Sequence, residues 1–331
     1  MVNTPASNDR FALALALVIA ACGASLAHAA DPVRDFPLRP VRFVSPFPAG
    51  GSSDLVGRMI APKMSERLGQ NVIFENRSGA GGMIGANYVA KATPDGHTLL
   101  FLSGAFTAQA ASIKTLPYDP LRDFAWVSMV ITYPFAIVVK AESPVQTVPQ
   151  LIAAAKKNPG KLNFGSVGTG SVFHLAGELF NTMAVTEMVH VPYKGGAEPV
   201  TELIGGRIDV IFNTLTGVYQ QIQSNRLRAI AVASLERAPQ LPGVPTVSET
   251  LPGYEVISFN GLAAPRGTPP SIVMRLSREI RTVLEQPDMN KRLVDLGGTL
   301  HPTTPEEMRR YVEAEISKWK RIVEARKIQV E

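Results

Sequence analysis

Two stretches of this chain place glycines and small hydroxyl residues at a predicted strand-to-helix turn. The first, Pro46-Phe-Pro-Ala-Gly-Gly-Ser-Ser-Asp54, follows the apolar run Val41 to Val44. The second, Gly165-Ser-Val-Gly-Thr-Gly-Ser171, ends the run Leu162 to Gly165. A turn of this kind aims unpaired backbone N–H groups, at the positive end of a helix dipole, toward one point. The chemistry is anion capture. Ala49, Gly50 and Gly51 offer backbone donors to a carboxylate, and Ser166, Thr169 and Ser171 add hydroxyl donors. A plainer reading stands beside each: Gly50-Gly51 as a tight turn with Ser52 or Ser53 as N-cap, and Ser171 as the cap of its own helix. His174, one turn beyond Ser171, either reaches the same space or is structural.

Other chemistries lack their residues. The first turn has no Lys-Ser/Thr, so it is not a nucleotide P-loop. Gly79 to Gly85 lacks dinucleotide spacing and a ribose-binding acid, and reads as a turn with tight helix packing. No Gly-x-Ser-x-Gly elbow surrounds Ser166 or Ser171, which argues against an acyl hydrolase. The five histidines, at 28, 97, 174, 190 and 301, show no metal spacing. Nothing assembles a nucleophile, base and orienter, so neither an enzyme nor a bound metal or cofactor is expected. Net charge is +5, but Lys and Arg are scattered without interleaved aromatics, so no nucleic-acid surface is expected. Trp126 and Trp319 read as packing residues.

These turns need a scaffold, and the rest of the 331 residues supplies it. With 45% hydrophobic and 18% charged residues the chain is globular, with length for about two domains. Helix Ser53 to Leu68, with Leu55, Met59, Ile60 and Met64 on one face, follows the first strand. Strands at Val72 to Glu75 and His97 to Leu102 flank a short helix ending near Ala92, and Ser103-Gly104 is a small-residue loop. After the extended stretch Ala136 to Val139 a second series runs to Ala233, with helices capped by Thr147 and Ser171. Glu255 to Ala263 is extended again, and helices Ser271 to Glu285, Met289 to Leu296 and Pro305 to about Arg326 close the chain. Strand–helix alternation implies βαβ units and a mainly parallel sheet. Two extended segments bracketing a complete α/β unit imply two α/β domains joined by two crossings, with the C-terminal helices returning to the first. The expected boundaries are 36–137 and 257–331 for one domain and 138–256 for the other, with a ligand cleft between them.

Residues 1–29 read as an export signal: Arg10, the apolar stretch Phe11 to Ala21, and the small-residue cleavage site Ala27-His-Ala29. The apolar stretch is too short to span a membrane. The only cysteine, Cys22, lies in Ile19-Ala-Ala-Cys-Gly23, a sequence like a bacterial lipobox, so lipidation at Cys22 is the alternative to cleavage near Ala29. Either route leaves a domain without disulfides, in an exported, periplasmic location.

The ordered blocks resemble one family: Pro48-Ala-Gly-Gly-Ser-Ser-Asp54, Glu75-Asn-Arg-Ser-Gly-Ala-Gly-Gly-Met-Ile-Gly85, Pro94-Asp-Gly-His-Thr-Leu-Leu100, Leu162 to Ser171 with His174-Leu-Ala-Gly-Glu178, His190-Val-Pro-Tyr-Lys-Gly195, Gly205-Gly-Arg-Ile-Asp209 and Leu241-Pro-Gly-Val-Pro-Thr246. Together they look like a Bug-type extracytoplasmic solute receptor, the substrate-binding component of tripartite tricarboxylate transporters. The resemblance implies a type II periplasmic-binding-protein fold: α/β, two domains, a double-crossover hinge and a cleft. It implies a carboxylate or carboxamide ligand held by Phe47, Ala49, Gly50 and Gly51 from one lobe and Ser166, Gly168, Thr169 and Ser171 from the other. Ser103, Thr107, His174 and Asn213 would wall the pocket. Asp54 matches the motif but would repel an anion, so it reads as a structural hydrogen-bonding residue. The family often has Tyr at the position of His97 and Asp at that of Asn213; the second departure bears on ligand identity. The implied partners of a monomeric receptor are a small organic acid, large and small membrane transporter subunits, and, as an alternative role, a membrane sensor kinase.

Overall fold

The computed structural model describes residues 36–193, 197–295 and 297–330. The stretch read as an export signal, Cys22 and the Lys194-Gly195 end of one family block lie outside the described residues. From Pro37 onward the described chain forms one compact unit.

The first element group begins with β1 (Val41–Ser45), which pairs in parallel with β2 (Val72–Asn76) and β3 (Thr98–Ser103). Helix α1 (Ser52–Leu68) connects β1 to β2 and buries Val56, Ile60, Met64 and Leu68. The expected apolar face is therefore rotated: Leu55 is 49% exposed. The period-four row from Val56 packs on the sheet, and Gly57 is needed there because a Cβ would lie 1.8 Å from the Phe74 ring. Helix α2 (Met83–Ala90) leads to β3. Ser103-Gly104, expected as a loop, instead starts helix α3 (Gly104–Ser112), with the Ser103 hydroxyl accepting from the Ala105 N–H at 3.3 Å.

The segment read as a short extended stretch is the 17-residue strand β4 (Phe124–Lys140). Its first part pairs antiparallel with β9 (Ile257–Pro265), from Phe124↔Pro265 to Pro134↔Ile257. From Phe135 onward it pairs with β7 (Val210–Thr214) and β8 (Leu227–Val232). Between these lie α4 (Val148–Lys157), β5 (Asn163–Ser166), α5 (Val172–Ala184), β6 (Val189–Pro192), α6 (Glu198–Ile204) and α7 (Leu215–Gln223). The sheet order is β2-β1-β3-β9-β4-β7-β5-β6, with β8 and the two-residue β10 (Thr299–Leu300) also on β4. It is mixed and not mainly parallel: the outer strands are parallel, while every pairing of β4 and β9 is antiparallel. The crossing strands run against their neighbours because each carries the chain from one strand group to the other.

Helices α8 (Pro270–Leu284), α9 (Pro287–Asp295) and α10 (Pro305–Ala325) finish the chain. Helix α10 does not return to the first strand group alone. Met308, Val312 and Ile316 join the core with Val44, Leu100, Phe106 and Phe259, whereas Trp319 and Ile322 join the core with Phe164, Phe180, Phe212 and Tyr254. Its 21 residues, at 1.5 Å each about 31 Å, reach along both. Trp126 and Trp319 are buried packing residues, as expected.

Candidate functional site

The first turn is open. Helix α1 starts after Gly51, whose φ/ψ of −82°/172° is extended, and no side chain caps it. Its first N–H groups lack intrahelical acceptors by construction. The Gly50 N–H is not among the free donors: it donates to Asp54 Oδ2 at 3.1 Å. Asp54 also accepts from Arg58 Nε at 3.0 Å. Burial acts to raise the Asp54 pKa, but the bonds from Arg58 and Gly50 outweigh it and hold the carboxyl below its ordinary value. Asp54 is thus a turn-fixing acid pointed away from any bound anion's role. Gly50 has a φ of +90°, which glycine adopts without strain. Cβ atoms added at Gly50 or Gly51 would meet nothing within 4 Å.

That open space is a cavity of about 740 Å³, within the range of small-molecule sites. Phe47, Pro48, Ala49, Gly50, Gly51, Ser52 and Leu55 form one wall. The opposite wall comes from the second strand group: Phe173, the α6 residues Val200, Thr201 and Ile204, and Asn213, Thr214, Thr216, Gly217, Gln221 and Arg226 around α7. Tyr133 of β4 lies between them. Its hydroxyl donates to Asn260 Oδ1 at 3.0 Å, and Asn260 Nδ2 donates to Ser53 Oγ at 2.7 Å. The two crossing strands are thereby tied to the first turn. Among the described residues no aspartate or glutamate lines the cavity, so its field favours an anion.

The second turn is closed on itself. The Ser171 hydroxyl donates to the Gly168 carbonyl at 2.7 Å and accepts from the His174 N–H at 3.3 Å as the N-cap of α5. Ser166 Oγ lies 2.6 Å from His190 Nε2 and accepts from the Gly168 N–H at 3.1 Å. The His174 and His190 rings stack at 3.7 Å. The Gly170 N–H donates to His174 Nδ1, so the neutral His174 carries its proton on Nε2, 3.7 Å from Glu178 Oε1. Glu178 in turn accepts from Arg326 Nε at 2.6 Å. Burial first, then the neighbouring His174, pushes the His190 pKa down to about 3. Burial opposes ionisation of Glu178, but the bonds from His174 and Arg326 prevail and lower its pKa. Ser166 paired with His190 has the look of a nucleophile and base, yet Ser166 is only 1% exposed and its hydroxyl is engaged within its own turn. This chain of contacts is a strut that shapes the turn.

The expected site residues therefore separate. Phe47, Ala49, Gly50, Gly51 and Asn213 share the cavity. Ser103 caps α3, and the buried Thr107 hydroxyl donates to the Gly104 carbonyl at 2.8 Å. Ser166, Gly168, Ser171 and His174 belong to the second turn's internal network, and Thr169 is exposed beside it. Sequence reading missed Tyr133, Phe173, Thr214, Thr216, Gln221 and Arg226. A usable signal was present: Asn213-Thr-Leu-Thr-Gly217 is a third strand-to-helix start carrying small hydroxyl residues, and Thr214 does not cap its helix with its side chain.

A strand–turn–helix start opening on a cavity, on an α/β frame with two antiparallel crossings, is the architecture of a solute-binding protein of the periplasmic type. Residues 56–328 match the family described as the tripartite tricarboxylate transporter family receptor. A protein from the tcbD–tcbE intergenic region of Pseudomonas sp. (strain P51) is 42% identical over 290 residues, covering 87% of this chain and 86% of the relative. Among solved structures, R. palustris Rpa4515 with adipate is similar at 36% identity and TM-score 0.80, covering 89% of this chain and 99% of that one. The periplasmic binding protein BugD is similar at 32% identity and TM-score 0.77, covering 89% of this chain and all of that one. The chain belongs to the tripartite tricarboxylate transporter receptor family and is of the Bug type.

Proposed function

We propose that the protein is a periplasmic receptor that captures a small carboxylate- or carboxamide-bearing metabolite and delivers it to the membrane subunits of a tripartite transporter. The observation that carries this reading is the uncapped start of α1 at Gly51 opening on a cavity of about 740 Å³ with no acidic lining residue among the described residues. A helix N-terminus stabilises an anion by roughly 0.3–2 kcal/mol, and hydrogen bonds from Ala49, Gly51 and Ser52 N–H groups and from Asn213 supply the remainder. The adipate-bound relative supports a carboxylate ligand. The two halves, 36–137 with 257–331 and 138–256, act as lobes that close about the β4 and β9 crossings. Cleavage near Ala29 frees the receptor into the periplasm.

Ser103, Thr107, Ser166, Ser171 and His174 act in this reading by fixing backbone around the cavity, and Thr169 meets ligand on closure. The test is Gly51→Leu. An extended backbone and open space at Gly51 accept a side chain without strain, so the variant folds while its side chain fills the cavity. In differential scanning fluorimetry against a panel of organic acids, the parent protein should gain thermal stability with at least one acid and Gly51→Leu with none. A ligand-induced shift of equal size in both proteins would remove the cavity from the function.

A further inference from the structure

The block Glu75 to Gly85 stands directly behind the first turn. Asn76 ends β2 and pairs with Ser45, the last residue of β1. Its Nδ2 donates to the Phe47 carbonyl at 3.0 Å, and its Oδ1 accepts from Arg58 Nη2 at 2.9 Å. A carbonyl only accepts and a guanidinium only donates, so these partners fix which way the amide points. The Nε of the same guanidinium donates to both Asp54 oxygens, at 3.0 and 3.1 Å, and Asp54 Oδ2 takes the Gly50 N–H. Asp54 and Arg58 are four apart on α1 with the acid first, the spacing and order that let them meet on one face. One fork thus reaches both ends of the turn: through Asn76 to the Phe47 carbonyl, and through Asp54 to the Gly50 N–H. Between those two points the φ of Pro48 is set by its ring. Behind them Gly82 and Gly85 let the block come close: a Cβ at Gly82 would lie 3.2 Å from the Phe47 ring, and one at Gly85 2.8 Å from Pro46 Cα. Asp54, Arg58 and Asn76 are not among the described residues that line the cavity.

We infer that Arg58 is a positioning residue for ligand capture: its fork, acting through Asp54 and Asn76, sets the first turn in its anion-binding form before the ligand arrives. Affinity then depends on a guanidinium that lies outside the cavity. This rests on the Gly51 turn holding the ligand. Ordering the turn in advance raises affinity by removing that cost from the binding step. A purely structural role would not act on affinity, and Arg58 is half-exposed, so losing its ion pair moves global stability little.

The experiment uses the mature protein, first without ligand. Hydrogen exchange of the peptide Phe43 to Leu55 should be about fivefold or more faster in Arg58→Gln than in the parent protein, with the peptide Phe164 to Leu175 unchanged and the unfolding midpoint within about 3 °C. Isothermal titration with succinate, glutarate, adipate, citrate and benzoate follows. The tightest of these acids should bind Arg58→Gln at least about tenfold more weakly. Arg58→Lys keeps the charge but not the fork, and should lose nearly as much. Asn76→Ala should also weaken binding, and Arg58→Gln with Asn76→Ala should lose less than the product of the two single losses, since both act through one brace. Unchanged exchange in Arg58→Gln, full affinity in Arg58→Lys, or losses that simply multiply would overturn the assignment while leaving the receptor reading intact. Faster exchange at unchanged affinity overturns it too, because the ligand then does not need the ordered turn. If none of these acids binds the parent protein, the Gly51 turn fails as an acid site, and the positioning role falls with it whatever the exchange shows.

Discussion

The two glycine turns share a sequence grammar and differ in how their polar groups are used. At Gly51 the helix starts without a side-chain cap, beside empty space. At Ser171 the same kind of start is capped, and its neighbours Ser166, Gly168 and Gly170 are bonded within the turn or to His174 and His190. The first turn has unspent donors and the second has few. A glycine–serine signature thus marks where an anion can be held, and only the accounting of donors decides whether it is.

The sharpest way to break the comparison is at the glycines. Gly51→Leu should cost more than about 100-fold in ligand affinity, equivalent to about 2.7 kcal/mol, while shifting the unfolding midpoint by less than about 2 °C. Gly170→Ala should do the reverse. A Cβ at Gly170 would lie 2.5 Å from Val330 Cγ2 and 2.8 Å from Ser112 Oγ, on a backbone with φ +78°. Strain and overpacking there should destabilise the fold by about 2–3 kcal/mol, read by chemical denaturation. If Gly170→Ala instead left stability unchanged and abolished binding, the second turn would be the ligand turn.

These contrasts also show what was legible. The strand–turn–helix starts at Val41 to Leu68 and Leu162 to Ala184 follow from local signals: apolar runs, glycines and caps. Helix α3 was missed because Gly104-Ala-Phe-Thr-Ala-Gln-Ala-Ala-Ser112 opens on a glycine and shows little amphipathic period; it is held by burial against α10 and its Ser103 cap. The full length of β4 was missed because Phe124 to Lys140 is apolar on both faces, a pattern shared by buried strands and buried helices. Arg226 was invisible as a cavity-lining residue because it follows α7 in sequence, and only tertiary packing puts it in one lining with Asn213 at the other end of that helix. Whether a hydroxyl is spent or free is likewise a tertiary fact, as Ser166 and His190 show across 24 residues.

A pH titration probes the strut behind the second turn. His190 has its folded pKa lowered to about 3 from 6.5, so the unfolded chain takes up the proton more readily. Its contribution is fully present above about pH 6.5 and is lost as pH falls toward 3, at no more than about 1.4 kcal/mol per unit, reduced by solvent at its partly exposed ring. The facing groups are His174 and Glu178 of α5, Ser166 of β5 and Arg326 after α10; Glu178, also lowered, adds a loss of the same sign below its ordinary value of 4.5. The parent midpoint should therefore fall between pH 7.5 and 5, and His190→Gln should be flatter over that interval. A parallel fall in both proteins would assign the acid sensitivity elsewhere.

The smallest expected effect is the most discriminating between the turns. Ser171→Ala removes the cap of α5 and the bond to the Gly168 carbonyl, at about 1 kcal/mol of stability. Because the hydroxyl's single proton is already given to the Gly168 carbonyl, it could donate to a ligand only by giving up that bond. Affinity for the acid that stabilises the parent protein should then change by less than about threefold, within 0.7 kcal/mol. Loss of affinity beyond tenfold, at unchanged stability, would mean that closure releases Ser171 to the ligand and that the two turns act as a pair after all.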